Sequence, residues 1–269
     1  MKPLLPQAAP LISYDKLVME LVGTFALTYV GCMSIVYSDV NSMTLNGVGL
    51  SSALVLIVFM WFGLDISGAH YNPAITIALI IVKQVNWYTG LMYVGSQFAG
   101  ALMGAGTVYV QLSHAIMERV KDKSMMGIPR TTAPPNETGA IWGELLGTYA
   151  IMFVYMATCT MHNSKRVAGV GGAAVGFSVF VATMTVGELS GGGFNPARSL
   201  APAILLGKIE KDQFTHFFGP IIGAALASMF YKYMFVEDED DAKDDEHERQ
   251  LRELGAASLN RLNDTSGVY

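Results

Sequence analysis

Two segments 123 positions apart, SGAHYNPA at 67–74 and SGGGFNPA at 190–197, place Asn-Pro-Ala behind a run of small residues in strongly apolar surroundings. A proline after a polar residue marks a turn or a helix start, and an apolar run follows each copy. The first, AITIALIIV, ends at Val82 before Lys83; the second runs from Pro196 to Leu205. Ten helical residues rise ~15 Å, half of the ~30 Å hydrocarbon core of a bilayer. Each copy therefore reads as a half-length helix that starts at Asn-Pro. Asparagine is a favoured N-cap, and proline suits the first helical position because its missing N–H would be unsatisfied there anyway.

What surrounds these half-helices is membrane. Of the 269 residues 52% are hydrophobic and 14% charged, against about 25% charged in an average soluble domain. Apolar stretches of bilayer length fall near Leu17–Tyr37, Val48–Leu64, Trp87–Leu112, Ala140–Met161, Val167–Leu189 and Phe214–Val236, which gives six spans. The N-terminus carries Lys2 and three prolines but no small-residue cleavage site after a short apolar core, so the first span is read as a retained helix. Cys32 and Cys159 fall within spans and read as small apolar packing groups.

The repetition reaches well beyond Asn-Pro-Ala. Glu20-Leu-Val-Gly-Thr-Phe returns as Glu144-Leu-Leu-Gly-Thr-Tyr, Asp65-Ile-Ser-Gly as Glu188-Leu-Ser-Gly, and Gln97-Phe-Ala-Gly-Ala as Pro220-Ile-Ile-Gly-Ala. The chain divides accordingly into an N-terminal segment (1–15), a first repeat (16–112), a long connecting loop (113–139), a second repeat (140–236) and an acidic tail (237–269). Each repeat holds three spans and one half-helix. An odd number of crossings sends the second repeat in from the opposite face, so the repeats are inverted. The half-helices then meet N-terminus to N-terminus near the bilayer centre. The fold class is an all-α membrane protein of six transmembrane helices plus two re-entrant half-helices.

Two helix N-termini bring roughly half a positive charge each to one spot, and irregular backbone at membrane depth persists only where protein buries it or water wets it. This describes a narrow wet path lined by the loop carbonyls of Gly68, Ala69, His70, Gly191, Gly192 and Gly193, with amide donors from Asn72 and Asn195 at its middle. Cations and protons face the positive helix ends, whereas small uncharged, hydrogen-bonding solutes do not.

The two Asn-Pro-Ala copies (Asn72, Pro73, Ala74 and Asn195, Pro196, Ala197), the ExxGT openings at Glu20 and Glu144, and NPARS at 195–199 resemble the aquaporin, or major intrinsic protein, family over about residues 14–236. The resemblance implies a pore in each protomer, a homotetramer embedded in lipid, cytoplasmic termini in a plasma or vacuolar membrane, and no cofactor, metal or nucleic-acid partner. It also implies that Glu20 and Glu144 accept hydrogen bonds from the loop backbones, since an intramembrane carboxylate is costly unless partnered. Counting from the first Asn-Pro-Ala for Ser52 and from the second for the other three, the family's narrowest ring falls on Ser52, Thr183, Gly192 and Arg198. Water-only members resemble Phe, His and a small residue at the first three places, and glycerol channels carry aromatics at two. This ring has neither arrangement and is expected to be wider and more polar. Ser199 and Ala203 depart from glycerol channels, and His216-Phe217 from the aromatic pair of water channels.

The expected function is passive conduction of water together with small neutral solutes such as glycerol, urea or hydrogen peroxide, with exclusion of protons and ions. A strict water channel and an ion-coupled transporter, a class that shares inverted repeats, are the alternatives. A pore-less junctional protein fits poorly beside two intact motifs, and no nucleophile, metal-ligand cluster or phosphate loop points to an enzyme. His70 reads as a packed loop residue whose carbonyl faces the path, and Asp65 and Glu188 as acceptors for loop donors. Asn136-Glu-Thr is a glycosylation sequon, Ser164, Ser258, Thr265 and Ser266 are phosphorylation candidates, and EDEDDAKDDEHE from Glu237 is a solvated like-charge block.

Overall fold

The computed structural model describes residues 13–41, 44–112, 114–120, 127–129, 137–160, 170–209 and 211–236; Asn136, Ser164 and the tail from Glu237 lie outside them. The described residues contain α-helices and no strand. In chain order these are α1 (Tyr14–Asn41), α2 (Leu45–Ser67), α3 (Pro73–Ile81), α4 (Trp87–Gln111), α5 (His114–Val120), α6 (Glu137–Cys159), α7 (Gly171–Ser190), α8 (Pro196–Leu205) and α9 (Asp212–Phe235). Described residues up to Tyr231 form one compact unit, and the final turn of α9 from Lys232 belongs to a second.

Among the described residues five helices are both long and apolar enough to cross a membrane: Tyr14–Ser38 of α1, all of α2, α6 and α7, and Gln213–Phe235 of α9. The sixth, α4, has the length at 25 residues, ~37 Å of helix, but not the apolarity. Its glycines, Ser96 and Gln97 dilute the hydropathy because α4 is a packing helix. A Cβ on Gly100 would overlap the Leu21 carbonyl oxygen of α1, and one on Gly104 would lie 2.6 Å from the Phe25 carbonyl oxygen. On another face Ala101 and Ala105 form a fully buried seam with Ala197 and Ala201 of α8. Small residues permit such approach between helices that lipid does not push together.

The inverted repeat is visible in these seams. Gly223 on α9 meets the Leu145 carbonyl oxygen of α6 just as Gly100 meets Leu21. α2 packs on α7 across the repeat boundary, α1 packs on α2 and α6 on α7. The half-helix α8, from the second repeat, lies against α4 and α1 of the first. The short helix α5 falls in the segment read as a plain connecting loop and packs on α1.

Candidate functional site

Both half-helices start where the sequence places them. The side-chain oxygen of Asn72 accepts from Ala74 N at 2.9 Å, capping α3. That of Asn195 accepts from Ala197 N at 3.1 Å and Arg198 N at 3.3 Å, capping α8. Pro73 and Pro196 occupy the first helical positions. Ala74 and Ala197 have no exposed surface, so the two caps approach closely. Each asparagine then reaches across the repeat boundary. Asn72 Nδ2 donates to the Phe194 carbonyl and Asn195 Nδ2 to the Tyr71 carbonyl, both at 2.8 Å. A primary amide carries two N–H groups, so each retains a second donor.

The loops before them repeat one backbone path. Gly68, Ala69 and Tyr71 have φ of 88°, 51° and 49°, and Gly191, Gly192 and Phe194 have 82°, 64° and 51°. Left-handed backbone costs a residue with a Cβ roughly 1–2 kcal/mol, so Ala69, Tyr71 and Phe194 must be held there. Two buried carboxylates do so. Glu20 accepts from His70 N at 2.9 Å and Tyr71 N at 2.7 Å, and Glu144 from Gly193 N at 2.7 Å and Phe194 N at 2.6 Å. The Tyr71 ring occupies the space beside Gly23 and Gly63, and the Phe194 ring that beside Gly147; a Cβ at any of these would overlap the ring. Those glycines belong to the loops as much as to the helices that carry them.

The surroundings of the two loops differ. Around the first, Glu20 also accepts from Ser67 Oγ at 2.6 Å and Gln97 Nε2 at 2.7 Å. Gln97 donates to Thr76 Oγ1 at 2.9 Å as well, and His70 Nδ1 meets the same hydroxyl at 3.1 Å. The Tyr93 hydroxyl donates to the Ser67 carbonyl at 3.0 Å and that of Tyr155 to the Gly68 carbonyl at 2.7 Å, both rings standing edge-on to His70. His70 is thus a packed loop residue, as its setting in the sequence indicates. Around the second loop Gly193 replaces His70, Pro220 replaces Gln97 and His216 replaces Tyr93. Nε2 of His216 lies 2.6 Å from the Ser190 carbonyl and 3.7 Å from Glu144 Oε1. Asp65 and Glu188 are exposed and accept none of these loop donors, which Glu20 and Glu144 take instead.

A cavity with about 70 Å³ of room for water centres joins the two loops; one water needs roughly 10–15 Å³ on this measure, so a short file fits. Its wall brings together Ser52, Thr183, Gly192 and Arg198 with Asn72, Asn195, Ala69, His70 and Gly193, against an apolar side that includes Leu56, Ile75, Ile151 and Val175. Gly68 and Gly191 stand outside this wall, where they close the C-termini of α2 and α7. The hydroxyls of Ser52 and Thr183 turn back to their own helices. Ser52 Oγ donates to Val48 O at 3.0 Å and Thr183 Oγ1 to Val179 O at 2.9 Å. These positions therefore carry small side chains and few donors, with hydroxyl oxygens left to the cavity as acceptors and Arg198 as its strong donor.

Arg198 is held from a place the sequence does not advertise. It is 7% exposed, and Nη1 donates to the carbonyl of Gly127 at 3.2 Å. Gly127 has φ 83° and comes so close to α1 that a Cβ would lie 2.6 Å from Cys32 Cα. Ile128 beside it packs on Ala203. Gly31 of α1 gives the guanidinium its room: a Cβ there would stand 3.4 Å from Arg198 Nε. Part of the connecting segment thus dips inward and supplies an acceptor to Arg198.

Comparison with known proteins agrees with this architecture. The family model described as Major intrinsic protein matches residues 8–231. The chain is 29% identical over 226 residues to putative aquaporin NIP4-1 of Arabidopsis thaliana, covering 83% of this chain and 76% of that one. It is 32% identical over 231 residues to aquaporin NIP2-2 of Zea mays (85% and 74% covered). With aquaporin-4 of Rattus norvegicus it shares 32% identity over 212 residues (72% and 62% covered). Among solved structures, the X-ray structure of the aquaglyceroporin from Plasmodium falciparum superposes with a TM-score of 0.74 at 22% identity, covering 83% of this chain and 97% of that one. The chain belongs to the major intrinsic protein family of membrane channels.

Proposed function

We propose that this protein is a passive channel for water that also passes small neutral solutes such as glycerol, urea and hydrogen peroxide, works as a homotetramer, and excludes protons and ions. One observation carries the solute range. Ser52, Thr183 and Gly192 meet Arg198 on one cavity wall with no aromatic or histidine among them. The aquaporin names of the relatives support the water path.

A permeating molecule would meet the chain's groups in order. The Arg198 guanidinium donates to a hydroxyl, carbonyl or water oxygen, while Ser52 and Thr183 offer only acceptors and methylene or methyl surface. At the middle, the second N–H groups of Asn72 and Asn195 donate to the passing oxygen, so that a water there turns its hydrogens outward in both directions. A hydrogen-bonded wire of one polarity cannot run through such a point. The two helix N-termini and Arg198 add positive potential, which opposes cations and protons and leaves neutral molecules unaffected.

Light scattering on proteoliposomes, with water, glycerol and urea as permeants, tests the proposal. Thr183→His fills the ring and is expected to lower glycerol permeability about tenfold with a smaller effect on water, the scale on which contacts in a fitted pocket discriminate. Unchanged glycerol flux would defeat the wide-ring reading. Uptake that follows an imposed proton or sodium gradient would instead identify a coupled transporter.

A further inference from the structure

We propose that His216 is a positioning residue for the constriction: its N–H anchors the second loop and so sets how far Gly192 and Gly193 stand into the path. The inference rests on the channel reading above and extends it to a side chain outside the cavity wall.

Nε2 of His216 lies 2.6 Å from the Ser190 carbonyl, at the end of α7. A carbonyl accepts, so this nitrogen carries the proton. The ring has no exposed surface and lies directly behind the loop: its Cδ2 is 2.9 Å from where a Cβ on Gly193 would stand. It is also 3.7 Å from the Glu144 carboxylate, which holds Gly193 N and Phe194 N. One imidazole thus touches three supports of the loop: the carbonyl that precedes it, the glycine at its middle and the carboxylate that fixes its left-handed turn. Gly192 and Gly193 line the cavity, and Arg198 follows within the first turn of α8.

The inverted twin shows what this arrangement replaces. There Tyr93 serves the matching Ser67 carbonyl, with the His70 ring between it and the path. In the second repeat a shorter side chain does that work, and glycine takes the place of the intervening histidine. Ser199 Oγ, buried with no hydrogen-bond partner, occupies the space beside Gly193 and closes the gap from the other side. The loop is therefore set by contact with His216 directly. A larger ring there pushes Gly192 and Gly193 toward the path, and loss of the N–H releases the Ser190 carbonyl.

Full-length protein carrying His216→Phe or His216→Gln, reconstituted in proteoliposomes, tests this. Two readouts do not depend on how much protein folds: the glycerol-to-water permeability ratio and the activation energy of water flux. Phe adds bulk and removes the donor, and is expected to lower the ratio about fivefold, the equilibrium factor of one ordinary hydrogen bond, and to raise the activation energy. Gln keeps an N–H at the Nε2 position and is expected to stay within about twofold of wild type on the same scale. If Phe leaves both readouts at the wild-type values, or Gln shifts them as far as Phe does, the positioning role is wrong. A wild-type protein that passes no glycerol would sink the solute range while the activation energies still decide the role of His216.

Discussion

The first and second re-entrant loops share a backbone and differ in what surrounds it. Both run through three left-handed residues, both are held by a buried glutamate from the first helix of their repeat, and both end in an asparagine that reaches into the other. Around the first loop the supports are neutral side chains: Ser67, Gln97, Thr76, Tyr93 and Tyr155. Around the second they are glycine, a histidine, and an arginine tied to a distant carbonyl. Symmetry of backbone builds the meeting point, where both halves must do the same thing. Asymmetry of side chains gives Gly192 and Arg198 to the second loop alone, and the proposed selectivity rests on that difference.

Removing the glutamates separates these two layers most forcefully. Glu20 serves four donors, two of them side chains, whereas Glu144 serves two backbone donors with His216 nearby. Glu20→Ala and Glu144→Ala are each expected to lower thermal stability in detergent by several kcal/mol, since hydrogen bonds to charged groups contribute about 1.5–3 kcal/mol apiece. Glu20→Ala should be the more damaging, and the reverse order would mean that His216 and its neighbours weigh more than the count of donors.

A middle-sized effect is expected where the halves are alike. Gly100→Ala and Gly223→Ala each drive a methyl into a backbone carbonyl, of Leu21 and Leu145 respectively, and overpacking of this kind costs about 1–3 kcal/mol. Thermal melts of the two variants should agree closely. A large disparity would show that the repeats carry unequal loads. The smallest effect belongs to Tyr155→Phe, which deletes the 2.7 Å bond to the Gly68 carbonyl at about 1 kcal/mol. Tyr155 itself lies on the cavity wall, but phenylalanine keeps the ring there and Gly68 lies outside the wall, so the glycerol-to-water ratio should hold; a changed ratio would show that the first loop takes part in solute selection.

The half-helices were the most legible part of this molecule. Asn-Pro fixes a helix start chemically, and α8 ends at Leu205 as its apolar run does, while α3 stops at Ile81 with Val82 as its C-cap. The loop acceptors Glu20 and Glu144 followed from the family resemblance that the ExxGT segments help to carry, and the cost of an unpartnered carboxylate in a membrane suits that role. Three things were out of reach. Gly127 meets Arg198 across 71 positions through a backbone carbonyl, and every residue type has one. Ser52 and Thr183 read as polar by type, yet a hydroxyl on a helix readily turns back to the carbonyl four residues earlier, as both do here. Asp65 and Glu188 share a place in the repeat, but period alone does not say which side of a helix end faces the loop.

The crossed asparagine bonds carry a consequence for each repeat taken alone. Asn72 finds its carbonyl partner at Phe194, and Tyr71 offers its own carbonyl to Asn195. Without residues 194 and 195 the Asn72 amide lacks its carbonyl acceptor and the Tyr71 carbonyl lacks its amide donor. The first repeat alone is therefore an unfinished object rather than half a channel. Its re-entrant segment gains both of these bonds only from the second loop, so each half-helix is completed by the other repeat.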